Sequence, residues 1–331
     1  HIDALAAQIA RFHLAAPQVG TEHPLCTPDA AMAPVRQNFE QIRAMLGETA
    51  DLQQLDQLEA WAEASYARLL PLFEARCRDG FIRECHGDIH LANATLLDGE
   101  VVLFDCIEFN EPFRLTDTMG DAGFLAMDLE DRGLKSLSRR LISQYLEHTG
   151  DYEGLELLNF YKAYRALVRA KVALFSLSAD ADHVQRATTL RQYRNYANLA
   201  ESYSAIPSNF LAITHGVSAV GKSHVAMRLV EALGAVRLRS DVERKRLFGD
   251  SQDLYSADIS SKTYQRLNEL AAVVLHAGFP VVIDATYLKH EQRLTTANVA
   301  EATGAPFLIL DCAAPKAVIR GWLAQRQAQN S

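Results

Sequence analysis

The sequence predicts two domains in series, the first mainly helical with a small β-hairpin and the second α/β with a parallel sheet. Three observations carry this. A chain of 331 residues exceeds what one ordinary hydrophobic core organises. Residues 1–79 and 117–203 keep helical apolar spacing, whereas from residue 210 short β-type runs alternate with helical stretches. Between these regimes Ser204 to Asn209, reading SAIPSN, is the convincing linker, which divides the chain into 1–206 and 207–331.

Composition narrows the class. With 49% apolar and 22% charged residues the chain has the balance of a soluble globular protein. No apolar run approaches the ~18 residues of a membrane span and no signal-peptide pattern opens it, so a cytoplasmic protein without a membrane partner is expected. Cys26, Cys77, Cys85, Cys106 and Cys312 are scattered, odd in number and without a C-x-x-C. That favours a reducing compartment over a disulfide framework or a zinc site. A net charge of −8 argues against non-specific nucleic-acid binding. The chain opens at His1 directly into a helical pattern (Leu5, Ile9, Phe12) and stops at Ser331 after another, so it is expected to be part of a longer polypeptide.

In order along the chain, Leu55, Leu58, Ala62, Leu69 and Phe73 mark the longest early helix, and Pro24, Pro28 and Pro34 mark breaks. Thr95–Leu97 and Val101–Phe104 flank Asp98-Gly99, a strong hairpin signal. About four helices follow between Asp117 and Tyr203. Lys162, Arg165 and Arg169 share one helical face there, read as a solvated face in preference to an anion contact. Strands are expected at 210–214, 236–239, 280–284 and 307–311.

Two stretches carry chemistry. The first is His86-Gly87-Asp88-Ile89-His90-Leu91-Ala92-Asn93, followed across the hairpin by Leu103-Phe104-Asp105. An Asp, an Asn five residues on and a second Asp after the next strand form the layout of a kinase-type catalytic loop. One Asp accepts a hydroxyl proton, while the Asn and the second Asp hold Mg²⁺ on nucleotide phosphates. Other readings of these residues stay open: a His86-x-Asp88-x-His90 metal cluster, turn-forming side chains, or a degenerate kinase-like scaffold.

The second stretch is Gly216-Val217-Ser218-Ala219-Val220-Gly221-Lys222-Ser223, a G-x-x-x-x-G-K-S loop ahead of His224. The run FLAIT before it and Val225, Leu229 and Leu233 after it supply the strand and helix that such a loop requires. Glycines let backbone N–H groups turn inward to phosphates, and the helix start adds a positive dipole end. Lys222 is expected on the β- and γ-phosphates and Ser223 on Mg²⁺. At the end of the next strand Asp241 is a candidate proton acceptor, with Arg244 clamping an anionic part of the acceptor. Asp284 ends the third strand and would hold Mg²⁺ directly or through water, position the nucleophile, or simply cap a turn. The cluster Arg237, Arg239, Arg244, Lys245 and Arg246 permits a phosphorylated or nucleic-acid substrate, though helix-surface charge explains it equally well.

HGDIHLAN with LFDCIEFN, and the following Asp117-Thr118-Met119-Gly120-Asp121, resemble the aminoglycoside phosphotransferase and choline kinase family over roughly residues 1–205. The resemblance implies a mainly helical protein-kinase-like C-lobe with Asp88 as catalytic base and Asn93 and Asp105 as Mg²⁺ ligands. That family's N-terminal β-lobe has no counterpart in residues 1–80. The P-loop, the Asp241-x-x-Arg244 spacing and the strand ending in Asp284-Ala285-Thr286 resemble the small P-loop kinases, among them polynucleotide 5′-hydroxyl kinases, gluconate kinases and zeta-toxin-like kinases. There a lid with arginines follows the last strand, with Arg320 and Arg326 as weak candidates. The fusion as a whole resembles bacterial bifunctional phosphotransferase and ATP-binding proteins. It implies a kinase using ATP or GTP with Mg²⁺ to phosphorylate a small-molecule hydroxyl; a nucleotide-dependent switch and a nucleic-acid 5′-hydroxyl kinase are the alternatives.

Overall fold

In the computed structural model of the chain the described residues are 1–178, 180–205, 208–249, 254–315 and 317–322. They form two compact units, one of His1–Leu141 with Gly154–Ile206 and one of Ile142–Glu153 with Pro207–Ser331. The first is a mainly helical, kinase-like lobe and the second a P-loop αβα domain.

The first unit opens with α1 (Ile2–Ala15), α2 (Pro28–Met45) and α3 (Thr49–Arg78). The expected stripe Leu55, Leu58, Ala62, Leu69 and Phe73 is the buried face of α3. Thr27 caps α2 by accepting the Ala30 N–H, and Pro28 stands in the first turn, where no N–H is needed. Pro34 does not break the chain as expected but lies inside α2. It removes one backbone hydrogen bond, while Met32, Val35 and Phe39 keep the helix anchored in the core.

Short strands β1 (Ile82–Glu84), β2 (Ala94–Leu97), β3 (Glu100–Leu103) and β4 (Leu115–Asp117) follow, with the one-turn helix α4 (Glu111–Arg114) before β4. β2 and β3 pair antiparallel from Ala94↔Leu103 to Leu97↔Glu100. Asp98 and Gly99, at φ 52° and 82°, make the tight turn that a two-residue hairpin demands. Helices α5 (Thr118–Asp131), α6 (Lys135–Thr149), α7 (Leu155–Phe175) and α8 (His183–Ser202) complete the predicted count. α7 packs against α2, α3, α5 and α8, and its residues are buried nearly all round.

That burial corrects the solvated-face reading of α7. Lys162 and Arg165 are buried, Lys162 pairing with Glu130 at 2.8 Å. Apolar periodicity is a poor guide on a helix enclosed on several sides, because its polar positions also face neighbours. A second correction concerns the cysteines. Cys26 and Cys77 are bonded, with Cα atoms 5.4 Å apart, in a small cluster with Val19 and Ile82. Their separation of 51 residues hides this pairing until α3 lays its end against the loop before α2.

The second unit contains β5 (Leu211–His215), α9 (Lys222–Leu233), β6 (Val236–Arg239), α10 (Ser240–Phe248), α11 (Ala257–His276), β7 (Val281–Asp284), α12 (His290–Ala302) and β8 (Phe307–Asp311). The four strands are parallel in the order β6-β7-β5-β8 and coincide closely with the predicted runs. Ala212, Val282, Ala226, Val230 and Ala235 form a core between sheet and α9. The segment Ile142–Glu153 belongs to this unit through side-chain bonds that no local pattern announces. Ser143 Oγ accepts the Arg237 N–H, and Tyr152 donates to Glu243. Among the described residues no helix is long and apolar enough to cross a membrane.

Candidate active sites

In the second unit the loop between β5 and α9 has the backbone that a phosphate cradle needs. Gly216, Ala219 and Gly221 all have positive φ, at 136°, 65° and 93°. A Cβ on Gly216 would stand 2.5 Å from the Cys312 carbonyl oxygen, so only glycine fits there. The Gly216 N–H donates to the Thr286 carbonyl, tying the loop to the segment after β7. Lys222, the first residue of α9, is buried and reaches back across the loop to donate to the Val217 carbonyl at 2.7 Å. Val217, Ser218, Ser223 and His224 are exposed, while Val220 is buried beneath.

Strand order places the other candidates. β7 lies between β5 and β6, so Asp284 at its end shares the carboxyl edge with the glycine loop. Asp284 is buried, and its Oδ2 has no hydrogen-bond partner among the described residues. A buried carboxylate oxygen without a donor is costly, and this one fits a divalent cation held at the cradle. Arg239 stands opposite Asp284 in the β6–β7 register. Asp241 is exposed and bound to Arg239 at 2.7 Å. Arg244 stacks its guanidinium 4.9 Å from the centroid of the exposed Tyr255 ring, and its buried Nε has no hydrogen-bond partner among the described residues.

The basic cluster expected at 237–246 is largely neutralised within the unit. Arg237 pairs with Glu147 at 2.7 Å, Arg239 with Asp241 and Glu147, and Arg246 with Glu243. Among the described residues no carboxylate pairs with Arg244 or Lys245. Arg320 is exposed on the helical stretch 317–322, and Arg326 lies outside the described residues.

In the first unit the loop 86–93 is held from beneath. Asp121, fully buried on α5, accepts the N–H groups of His86 and Gly87 at 3.0 Å each and binds His13 Nε2 at 3.1 Å. Burial pushes its carboxyl up, but the His13 hydrogen bond and nearby positive charge hold it below the usual range. Asp128 accepts the Leu91 N–H, and Arg165 donates to the Gly87 carbonyl. Four backbone groups of the loop are thus fixed by side chains from α5 and α7.

The loop brings Asp88 and Asn93 together, since Asn93 Nδ2 donates to the Asp88 carbonyl at 3.1 Å and to its Oδ2 at 3.2 Å. The Asn93 amide oxygen is then the atom it can offer a cation. Asp88 is half-buried; burial raises its carboxyl, but His90, Arg165 and Arg169 together lower it below the usual value. Asp105 arrives by the hairpin. Phe104 N–H bonds the Asn93 carbonyl, and His86 bonds on either side, to the Phe104 carbonyl and the Ile107 N–H. Asp105 itself is exposed with φ 60°. An oxygen-only set of Asp88, Asn93 and Asp105 suits Mg²⁺. His86 is occupied by these backbone bonds, which removes it from the His-x-Asp-x-His metal reading; His90 Nε2 stands 3.4 Å from Asp88 Oδ2.

Residues 1–158 match the family model described as phosphotransferase enzyme family, and residues 211–331 match that described as AAA domain. The chain joins a phosphotransferase-family domain to an AAA-type domain. Uncharacterized proteins of Mycobacterium bovis and Mycobacterium tuberculosis are 29% identical to it over 345 residues, covering 100% of this chain and 67% of theirs. In the phosphotransferase-family domain, sequence reasoning missed the roles of Asp128 and Arg165, which bond loop backbone, and of His13, which bonds Asp121; none leaves a periodic trace. In the second compact unit it missed Glu147, which precedes the P-loop by some seventy residues.

Proposed function

We propose that the chain is a nucleotide-dependent kinase acting on a small-molecule hydroxyl. In this reading the AAA-type domain holds ATP or GTP on Gly216–Ser223, with Lys222 leaving the Val217 carbonyl for the β- and γ-phosphates. Ser223 and Asp284 would hold Mg²⁺, which neutralises charge on the phosphates. Asp241 would accept the proton of the acceptor hydroxyl, and Arg244 would bind an anionic part of the acceptor. Phosphoryl transfer has a loose transition state, so these side chains act mainly by positioning and charge. The observation that carries the reading is Asp284, buried at the loop's edge with an oxygen that no donor among the described residues satisfies.

The phosphotransferase-family domain would contribute a second site, with Asp88 as base and Asn93 and Asp105 toward Mg²⁺. Its neighbours keep Asp88 ionised at neutral pH, the form in which it accepts a proton.

Transfer of labelled γ-phosphate to a panel of hydroxyl acceptors tests both sites. Lys222→Ala should abolish transfer by the AAA-type domain, and native turnover in that variant would sink the assignment. Asp88→Ala should remove only the acceptors served by the first site; an unchanged acceptor profile makes that domain a scaffold. Nucleotide hydrolysis with no phosphorylated product on any acceptor would favour a nucleotide-driven switch.

A further inference from the structure

Behind the catalytic loop of the first unit lies a cavity of about 30 Å³, between the start of α2, the β1–β4 ribbon, Phe113 and α7. Arg165 lines it. This side chain is 5% exposed, donates from Nη1 to the Gly87 carbonyl at 3.2 Å, and is flanked by the rings of Phe124 and Tyr164. Its Nε has no hydrogen-bond partner, and among the described residues no carboxylate forms an ion pair with it. A buried guanidinium with one carbonyl contact is an incomplete arrangement, because desolvation of the charge is offset only by a counter-charge and a full set of acceptors.

The nearby carboxylates are committed elsewhere. Asp117, which lines the cavity, is gripped by Arg76 at 2.5 and 2.7 Å and accepts the Met119 N–H. Asp121 is bound to His13 and two loop amides, and Asp88 to Asn93 and His90. Asp117 is balanced by its own Arg76, and Asp121 and Asp88 stand close enough to feel the Arg165 charge without bonding it, so the guanidinium lacks acceptors and not counter-charge. A second feature is independent of Arg165. α2, eighteen residues long, begins at the cavity, where Thr27, Ala30 and Ala31 of its first turn form the rim. The positive end of its dipole faces the same space, with Asp29 of the same turn exposed and accepting from Tyr66.

We propose that this cavity binds the carboxylate of a small organic acid, with Arg165 as its counter-charge and the start of α2 as its second positive wall. The volume holds about two water-sized groups, which suits a planar carboxylate and not a sugar ring or a nucleotide. A planar two-oxygen anion also matches the guanidinium fork, whose Nε has no partner among the described residues. The remaining walls, Leu25, Ile82, Phe113 and Tyr161, close the apolar side of the space, so the acid must be as small as acetate. Phe113 connects the cavity to the loop, since its carbonyl lies 2.8 Å from where a Gly87 Cβ would be, one residue before Asp88. The site stands on these contacts whether or not Asp88 is catalytic.

The test is titration of the full chain with ¹³C-acetate followed by NMR, at constant ionic strength set with chloride. Saturable binding is expected, weakened at least about tenfold in Arg165→Met. Ala31→Leu fills the cavity and leaves Arg165 in place, and it should abolish binding while the thermal unfolding midpoint stays near native. If Arg165→Met fails to fold, Ala31→Leu decides alone, and an unchanged acetate affinity there overturns the site. A shift that grows linearly without saturating means that water alone occupies the cavity and also overturns it. Tighter binding of inorganic phosphate than of acetate overturns the carboxylate assignment.

Discussion

Glu147 Oε1 lies 2.7 Å from Arg237 Nε with both side chains buried, while its Oε2 faces Arg239 at 3.5 Å. Its backbone carbonyl also accepts from Arg246 at 2.5 Å. One residue of α6 therefore anchors three arginines of the AAA-type unit. Arg239 carries the contact on to Asp241, and Arg237 Nη1 reaches the Ser223 carbonyl at 3.5 Å. Glu147→Gln should destabilise this unit by about 3–5 kcal/mol, because it leaves the buried Arg237 guanidinium without its counter-charge, while Arg239 keeps Asp241 and Arg246 keeps Glu243. Glu147→Asp should recover part of that. Chemical denaturation followed by a probe in the second unit reads the effect. By the same argument a fragment starting at residue 207 should be less stable than one that retains 142–153.

Gly216→Ala should eliminate nucleotide binding. The new Cβ would meet the Cys312 carbonyl at 2.5 Å and Val220 at 3.1 Å, and φ of 136° is itself unfavourable for alanine. Neither neighbour can yield without moving β8 or the loop. Calorimetric titration with nucleotide checks this, and near-native affinity would show that the loop relaxes.

Asp284→Asn should weaken Mg²⁺-dependent nucleotide binding and lower transfer by about a hundredfold, while nucleotide binding measured in chelator stays within a small factor of native. Equal losses with and without Mg²⁺ would assign Asp284 a structural role.

Asp121 links the first unit to pH. Its carboxyl is held below the ordinary value in the folded state, so the unfolded chain takes up the proton first as pH falls. Its stabilising contribution is complete above the usual carboxylate range, near about pH 4, and disappears as pH drops through the lowered folded value. The acid limb of the unfolding midpoint against pH should therefore be shallower in Asp121→Asn. That variant should also be less stable at neutral pH by about 3 kcal/mol, since an amide cannot accept from His86, Gly87 and His13 together. Thermal scans from pH 3 to pH 8 would measure both.

Local pattern was enough for much of this protein. The four strands of the AAA-type unit were legible because a parallel sheet enclosed by helices requires continuous apolar runs, and FLAIT and VVID are such runs. The glycine loop was legible because phosphate binding needs particular backbone angles, and few residues adopt them. Asp88 and Asn93 were legible as neighbours because they share one short loop, and the hairpin was legible because Asp98-Gly99 suits a two-residue turn. Elsewhere pattern misled: Lys162 and Arg165 occupy a helical face that reads as solvated and is enclosed.

The sequence by itself determined the order of the two domain types, the strand positions, the glycine loop between β5 and α9 and the hairpin at Asp98-Gly99. All of these follow from periodicity and backbone chemistry within some twenty neighbouring residues. Only the tertiary structure decided that Cys26 meets Cys77, that Asp121 holds the loop before Asp88, that Arg165 lines a cavity, and that Glu147 gathers Arg237, Arg239 and Arg246. Those pairings join residues 34 to 99 positions apart, apart from the cavity, which four separate segments enclose. Ion pairs and buried hydrogen bonds depend on distance in space and leave no period in the chain, so they become visible only once the helices and the sheet are packed.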